Sequence, residues 1–596
     1  VEINRYIYHD VTINGLFTEK TWDGSIKVAD SNIKMDMLGL LDFSKNLPEF
    51  DFTLNLSDAN LYRLNLDRKD STSNLSALVT ANFTGNNIDN LSGEIRMLNS
   101  TFEKYGNKLE MYDFSLKAFS ENNKPAITLR TDFANADLRG YYNFAELQTI
   151  FRNALSSLMP SIFPAPVKKS NGLRNNFTFN VNFRNTDKIN RFFKTGVQIA
   201  DKSTFSGNIY QDSIVNIEGN SKKFVWHNNT FNDVNVDAVL KGDQLTAGVK
   251  SSSLLILGQS DLKNFKAGIK TNPDYFIFNV DWDDKEKILD KGRLTARGVF
   301  VKNPVAGKKA ILKIDIDSSD LYTDNNLWKV DHSTIVLDTS SVRINNFFIH
   351  NGDHSYTVNG AVSEDLRDTL HVGFRGIDLS PLSKLTEKQR PDQPAIPLKP
   401  KGIVNGNILV TNAIKNPLVE ADIKISAFSL LGGDYGDVTI RSNWNAAKKV
   451  ADIRGYNTLD NTRNFDLTGY YDPSTKWLNL DATAINLPVN ALNPLLSFFA
   501  SDISGAATGK LNLSGRPGSF VLRGGVLAKN VSLKINYLQA IFTLNDSIRF
   551  DRTVIHFKND RLVDEKGNFA YLSGSVNHKY FKDYQADLAI TMNNCL

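Results

Sequence analysis

Phe177-Thr178-Phe179-Asn180-Val181-Asn182-Phe183 sets four apolar side chains at every second position, with a polar one in each gap. A period of two marks a β-strand with one greasy face and one wet face. The pattern recurs outward in both directions. Phe276, Phe278, Val280 and Trp282 alternate with Ile277, Asn279 and Asp281; Leu312, Ile314 and Ile316 alternate with Lys313, Asp315 and Asp317. Val419, Ala421, Ile423 and Ile425 alternate with Glu420, Asp422 and Lys424.

Turn chemistry punctuates these runs at Lys241-Gly242-Asp243, Asn351-Gly352-Asp353, Asn359-Gly360, Asp472-Pro473-Ser474 and Lys566-Gly567-Asn568. Short connections of this kind join antiparallel strands, because a parallel ladder needs crossovers of a dozen residues or more. The expected fold is all-β dominated: an elongated, mostly antiparallel sheet curled into a taco-like groove, with short amphipathic helices. Two segments break the period of two. Phe144, Leu147, Phe151, Ala154, Leu155 and Leu158 fall at helical spacing before Pro160. Val489, Leu492, Leu495, Leu496 and Phe499 follow Pro488, with Pro494 kinking that helix or splitting it into two turns.

A strand, a polar step, a short helix-like stretch and a Gly-punctuated strand recur in order. The units are 52–66 with 75–93, 177–193 with 197–219, 372–385 with 402–427, and 480–499 with 503–525. Their uneven spacing reads as degenerate self-similarity within one body. The division expected is a groove section over 1–140, a helical insertion at 141–165, a groove section over 166–386, a Pro-rich connection at 387–401 and a groove section over 402–596. Pro391, Pro394, Pro397 and Pro400 stand at every third position, the period of polyproline II; a connection is favoured over a PxxP ligand.

The chain has 596 residues, too many for one core, since single cores stop growing at roughly 250 to 300. A net charge of +4 from 69 basic and 65 acidic side chains, with no basic stripe, argues against nucleic acid. Lys168 and Lys169 read as a solvated loop. The single cysteine, Cys595, excludes disulfides within the chain and a Cys-based zinc site. No stretch approaches the roughly 20 apolar residues of a spanning helix, and the chain begins at Val1, so it reads as a piece of a longer protein whose anchor lies outside it.

Catalytic chemistry is not expected. His350 and His354 are the only close histidine pair, and they flank a turn without a carboxylate in ligand spacing. Asp434 and Asp437 beside Gly432, Gly433 and Gly436 lack the oxygen spacing of a calcium loop. Gly505 to Lys510 has one residue too few between glycines for a phosphate loop and leads into a strand. No cofactor or metal is expected. The greasy faces remain to be explained. About 50 strands at about 4.8 Å would make a sheet on the order of 200 Å long, whose apolar side is sealed as sandwiches or left open as a trough. An open trough far exceeds the apolar patch a soluble monomer shows and calls for an apolar guest.

Gly505-Ala-Ala-Thr-Gly509-Lys-Leu511-Asn-Leu513-Ser-Gly515-Arg-Pro517, with Gly524-Gly525-Val526 beyond it, resembles a G-x-x-x-G-x-L-x-L-x-G…P…G-x-V stretch of TamB-like proteins, of the AsmA-like group of Gram-negative envelopes. Leu572-Ser-Gly574-Ser-Val576-Asn-His578 followed by Asp587-Leu588-Ala-Ile590 is similar to the next strand pair. The resemblance covers roughly 480–592 and implies a translocation and assembly module protein. Such a protein is a periplasmic β-groove anchored in the inner membrane, partnering an outer-membrane barrel of the TamA type. It supports outer-membrane protein assembly or secretion and moves phospholipid between the membranes. The chain departs from that pattern in having no N-terminal anchor and in stopping before the segment expected to dock on the barrel.

The leading expectation is a lipid conduit whose acyl chains lie on Phe52, Leu54, Leu56, Phe177, Phe179, Val181, Phe183, Phe276, Phe278, Val280, Ile314, Ile316, Ile423, Ile425, Leu588 and Ile590. A scaffold pairing with nascent outer-membrane barrel strands, without lipid transport, is the first alternative; a structural stalk of β-sandwiches is the second. The stretch 144–159 is expected to cap or line the groove rather than touch a bilayer.

Overall fold

A computed structural model of the chain describes residues 1–163, 174–256, 260–284, 290–305, 307–323, 326–365, 367–382, 399–412, 417–430, 432–496, 500–581 and 583–593. Lys168, Lys169, Pro391, Pro394, Pro397, Phe499 and Cys595 lie outside them. Strands dominate the described residues, and every pairing with a described register is antiparallel. A two-stranded ribbon, Glu2–Ile3 with Tyr6–Ile7, stands apart from the main sheet.

The chain divides into two compact units. The first is Val1–Leu312 with Tyr322–Asn325, and the second is Lys313–Leu321 with Asn326–Leu596. This places the division inside the 166–386 section expected from composition. The expected end of the Pro-rich connection at 401 coincides with the first residue of strand Lys401–Thr411. Composition marks solvated stretches, whereas the division follows where backbone contacts thin out.

Within each unit most strands follow one another as hairpins; Asn176–Phe183, for one, pairs past Val197–Ile199 with Thr204–Tyr210. The turns at 242–243, 352–353, 473–476 and 565–567 sit where the sequence puts them. Asn359-Gly360 is the exception, lying inside strand His354–Ser363. Gly360 has φ +114, and a Cβ there would stand 2.0 Å from the carbonyl oxygen of Thr369. The glycine therefore permits close approach of two backbones in mid-strand and makes no turn.

The uneven repeat in sequence becomes regular when counted in strands. Helical or turn insertions follow strand Glu49–Asn60 and strand Asn176–Phe183, six strand spacings apart along the ladder of the first unit. In the second unit they follow Thr369–Asp378 and Trp477–Pro488, again six spacings apart. An even number of antiparallel steps returns each insertion to the same rim. In the first unit each tucks an apolar residue against the sheet: Leu64 is 0% exposed, and Phe192 of helix Asp187–Phe193 is buried with its ring 5.3 Å from that of Phe102. In the second unit, Pro494 does split its segment: a 3-10 turn, Asn490–Leu492, precedes a short helix, Asn493–Leu496.

Bends within strands have a chemical cause. Asp58, Asn99, Asp233 and Asn264 sit in strand interiors with φ of 52°, 47°, 47° and 47°. Asn and Asp tolerate this left-handed conformation better than other residues with a Cβ. At Asp58 and Asn99 the register also slips, so each is a bulge that increases local twist and curvature. Asn346 and Asn559 accompany the same slip in the second unit.

Candidate apolar groove

The ladder registers show which face each strand presents. In the first unit Gly39, Phe52, Ala81, Ile95, Leu116, Leu129, Ala136, Val181, Phe205, Gly219, Val236, Val249, Ala267, Val280 and Leu294 are successive cross-strand partners. Every member of this row is apolar or glycine. At about 4.8 Å per step it runs about 65 Å along the sheet surface. One residue over, on the opposite face, Asp51, Asn82, Glu94, Lys117, Thr128, Asp137, Asn180, Ser206, Glu218 and Asp237 are partners in the same order. Two-faced alternation thus persists in register across the sheet.

Phe52, Leu54, Leu56, Phe177, Phe179, Val181, Phe183, Phe276, Phe278 and Val280 all belong to the apolar face. Most are half-buried; Phe177 is buried, and Phe278 is 39% exposed. A sandwich interior would bury such side chains almost fully. Among the described residues of this unit, the one contiguous cluster of fully buried apolar residues is Val28, Ile33, Ala59 and Leu64, at the start of the chain. The wall is therefore open along most of its length.

Its floor is paved in a way that alternation alone does not reveal. Phe179, Phe205, Phe276 and Trp282 each stand directly opposite a glycine: Gly207, Gly219, Gly298 and Gly292. A Cβ added to Gly298 would lie 2.1 Å from Phe276 Cζ, and one added to Gly292 would lie 2.3 Å from Trp282 Cζ2. The rings therefore lie over the neighbouring strand and occupy the space a side chain would take. Gly298→Ala should lift the Phe276 ring into the groove and destabilise the first unit by about 1–3 kcal/mol, the usual range for overpacking. Thermal unfolding of the variant beside Gly268→Ala, whose added Cβ would meet nothing nearer than 3.6 Å, checks this.

In the second unit Tyr356, Phe374, Gly406, Ile423, Ile440, Gly455, Leu467, Ala482, Leu511, Gly524, Phe550, Ile555 and Val576 form the equivalent row. Ile423 and Ile425 lie on this face, half-buried; Ile314 and Ile316 are half-buried on strand Ile311–Ile316. Leu588 and Ile590 differ from the other candidates, because they pack against a sealed core. Ala500, Ile503, Ile535, Phe542, Leu544, Leu562, Ala570 and Leu572 there are at most 3% exposed.

Strand Val521–Ile535 pairs with Ser547–Arg552 through its first half and with Ala540–Leu544 through its second; both pieces also pair with Val554–Asp564, so they act as one interrupted strand. The segment after Pro488 roofs the interior. Asn493 accepts from Ile503 N and donates to Ile503 O, both at 2.8 Å, while Val489, Leu492 and Leu496 face the core. A cavity of about 260 Å³ lined by Leu487, Leu511, Val526, Leu533, Ile548 and Phe557 remains beneath this roof. The C-terminal part of the 402–596 section thus encloses a buried apolar core.

One polar group intrudes on that closed interior. Asp560, at a bulge opposite Leu572, is 2% exposed and its Oδ2 has no hydrogen-bond partner. Burial, with a smaller push from the Asp546 charge, raises its pKa to about 6 against a backbone hydrogen bond from Lys558. Alternation could not expose it, since the bulge at Asn559 shifts an ostensibly outward residue inward. His578, 6% exposed, stacks on Phe581 at 4.7 Å and is held below its ordinary pKa by burial.

The helix expected after Tyr141 spans Phe144–Leu158, capped by Asn143, whose side chain accepts from Glu146 N. Ile150 and Leu158 are buried, whereas Phe151 is 67% exposed, so Phe151 lies off the packed face. His350 stacks on Phe348, and His354 Nδ1 meets Gly376 O. Among the described residues no group of three potential ligands comes together, and no helix is long and apolar enough to cross a membrane. A scan against protein-family models finds no match for this chain, and neither does a search of curated proteins.

Proposed function

We propose that the half-exposed apolar wall of the first unit holds phospholipid acyl chains and lets them slide along its length. The observation that carries this reading is the unbroken row from Gly39 to Leu294, apolar at every step and left without a sealed core. Burial of each CH₂ is worth about 0.8 kcal/mol, so one long acyl chain gains on the order of 10 kcal/mol on such a wall. Neighbouring rungs offer nearly the same surface, so moving by one rung costs little net free energy. Head groups remain in water at the rim, and no catalytic group is needed.

The resemblance of 480–592 to TamB-like proteins supports assigning this activity to the periplasm of a Gram-negative envelope. There the chain is part of an inner-membrane-anchored bridge that delivers phospholipid toward the outer membrane and supports outer-membrane protein assembly beside a TamA-type barrel. The closed C-terminal interior makes the first unit the conducting section. Mass spectrometry of lipids extracted from gently purified protein tests the reading. Diacyl phospholipid should accompany the protein and disappear when the wall is charged. Lipid-free protein that also fails to take up phospholipid from vesicles would overturn it.

A further inference from the structure

We infer that helix Phe144–Leu158 is a clasp that fixes how tightly the first unit's sheet is curled. At its start, the backbone amides of Phe144 and Ala145 donate to Asp89 Oδ1 and Oδ2 at 2.5 and 3.2 Å. A carboxylate there also complements the positive end of the helix dipole. At the other end, Asp274 N donates to Leu158 O at 2.9 Å, while Ser161 donates from N and Oγ to the Asp274 carboxylate at 2.9 and 2.7 Å. Each end of the helix is thus bonded to a turn of the sheet.

Those two turns are far apart along the ladder. Asp89 lies between strands Asn74–Thr84 and Ser92–Lys104, and Asp274 between Ser260–Asn272 and Tyr275–Asp283, on the same rim. Ten strand spacings separate them, about 48 Å along the sheet at the usual interstrand distance. A helix of fifteen residues is only about 22 Å long. Even with a short reach added at each pin, the chord is little more than half the arc. The intervening sheet must therefore curl through more than a semicircle about the apolar face. A flatter sheet would break one pin or the other.

The insertion is held separately at its base. Asn143 N donates to Asn175 Oδ1 at 2.7 Å, Asn175 N donates to Asp212 Oδ1 at 2.8 Å, and Asn175 is 1% exposed. Loss of the Asp274 pin therefore frees the far end of the helix, and loss of the Asp89 pin frees the Asp89 turn, without detaching the insertion. Each pin is two or three hydrogen bonds against the whole ladder, so the clasp opens at a lower free energy than the sheet.

The test is a distance between the rim turns. Spin labels at Asn87→Cys and Asn272→Cys, in a chain with Cys595→Ser, should give a narrow distribution centred at about 30 Å, the helix length plus the label arms. Asp274→Ala with Ser161→Ala should broaden it and move its mean outward by about 10 Å, the width of two strand spacings. Amide exchange over 144–158 should quicken at least tenfold, with the strands unaffected. Asp274→Asn, which keeps an acceptor and the backbone donor, should restore the narrow distribution. If the double variant does not fold, Asp89→Ala reads the same distance from the opposite pin. A distribution that stays narrow and unmoved while the helix amides quicken would overturn the clasp, leaving curvature to the sheet alone. Neither readout requires lipid, so this inference can fail while the groove reading stands.

Discussion

Protein carrying Phe179→Asp and Phe278→Asp together will lose phospholipid by about a hundredfold in uptake from vesicles, while its strand content by circular dichroism stays unchanged. The two side chains lie in one cross-strand row: Phe179, Gly207, Ile217, Ala238, Ala247, Ile269 and Phe278 are successive partners. Two carboxylates there flank the middle of the wall. An acyl chain crossing either must desolvate a charge without pairing it, and a loss of about 3 kcal/mol corresponds to that factor. Folding should survive, because Phe278 is 39% exposed and Phe179 half-buried, so both carboxylates keep access to water. Unaltered uptake by a folded double variant would remove the wall as the lipid path.

The second large effect concerns pH. Asp560 has its pKa raised from 3.8 to about 6 in the folded chain, chiefly by desolvation. A raised acid pKa means the folded state holds the proton more firmly than the unfolded one. The stability this lends is full below about pH 4 and is lost as pH rises through about 6. On this group alone, the C-terminal section should be about 1.4 kcal/mol more stable at pH 5 than at pH 8. Asp560→Asn should flatten that difference and stabilise the section at pH 8 by roughly 2 kcal/mol, since it removes a buried charge whose Oδ2 has no partner. Urea unfolding of both proteins at the two pH values checks it. A variant that keeps the wild-type pH slope would show that other groups set it.

Much of the fold was legible from local spacing. Phe177 to Phe183 and Phe276 to Trp282 are strands because a period of two fits no other regular element, and Gly242 and Gly352 turn where they were expected to turn. The insertion at Phe144 was legible because its apolar period changes from two to about four. Asn359-Gly360 misled because the same dipeptide serves a tight turn and a close mid-strand approach, and only the partner backbone at Thr369 distinguishes them. The in-strand Asp58, Asn99 and Asn559 left a signal that alternation ignores: an Asx residue interrupting an otherwise regular strand pattern.

Alternation by itself determined that this chain forms antiparallel strands with one apolar and one polar face, because side-chain direction follows from backbone period alone. Whether that apolar face is open or sealed was decided only in three dimensions. The same pattern lies half-exposed at Val181 and Phe278 yet closed around Leu562 and Leu572, where the segment after Pro488 packs onto it. Period fixes which way a side chain points. What stands opposite it depends on curvature and on segments distant in sequence, and no local spacing encodes those.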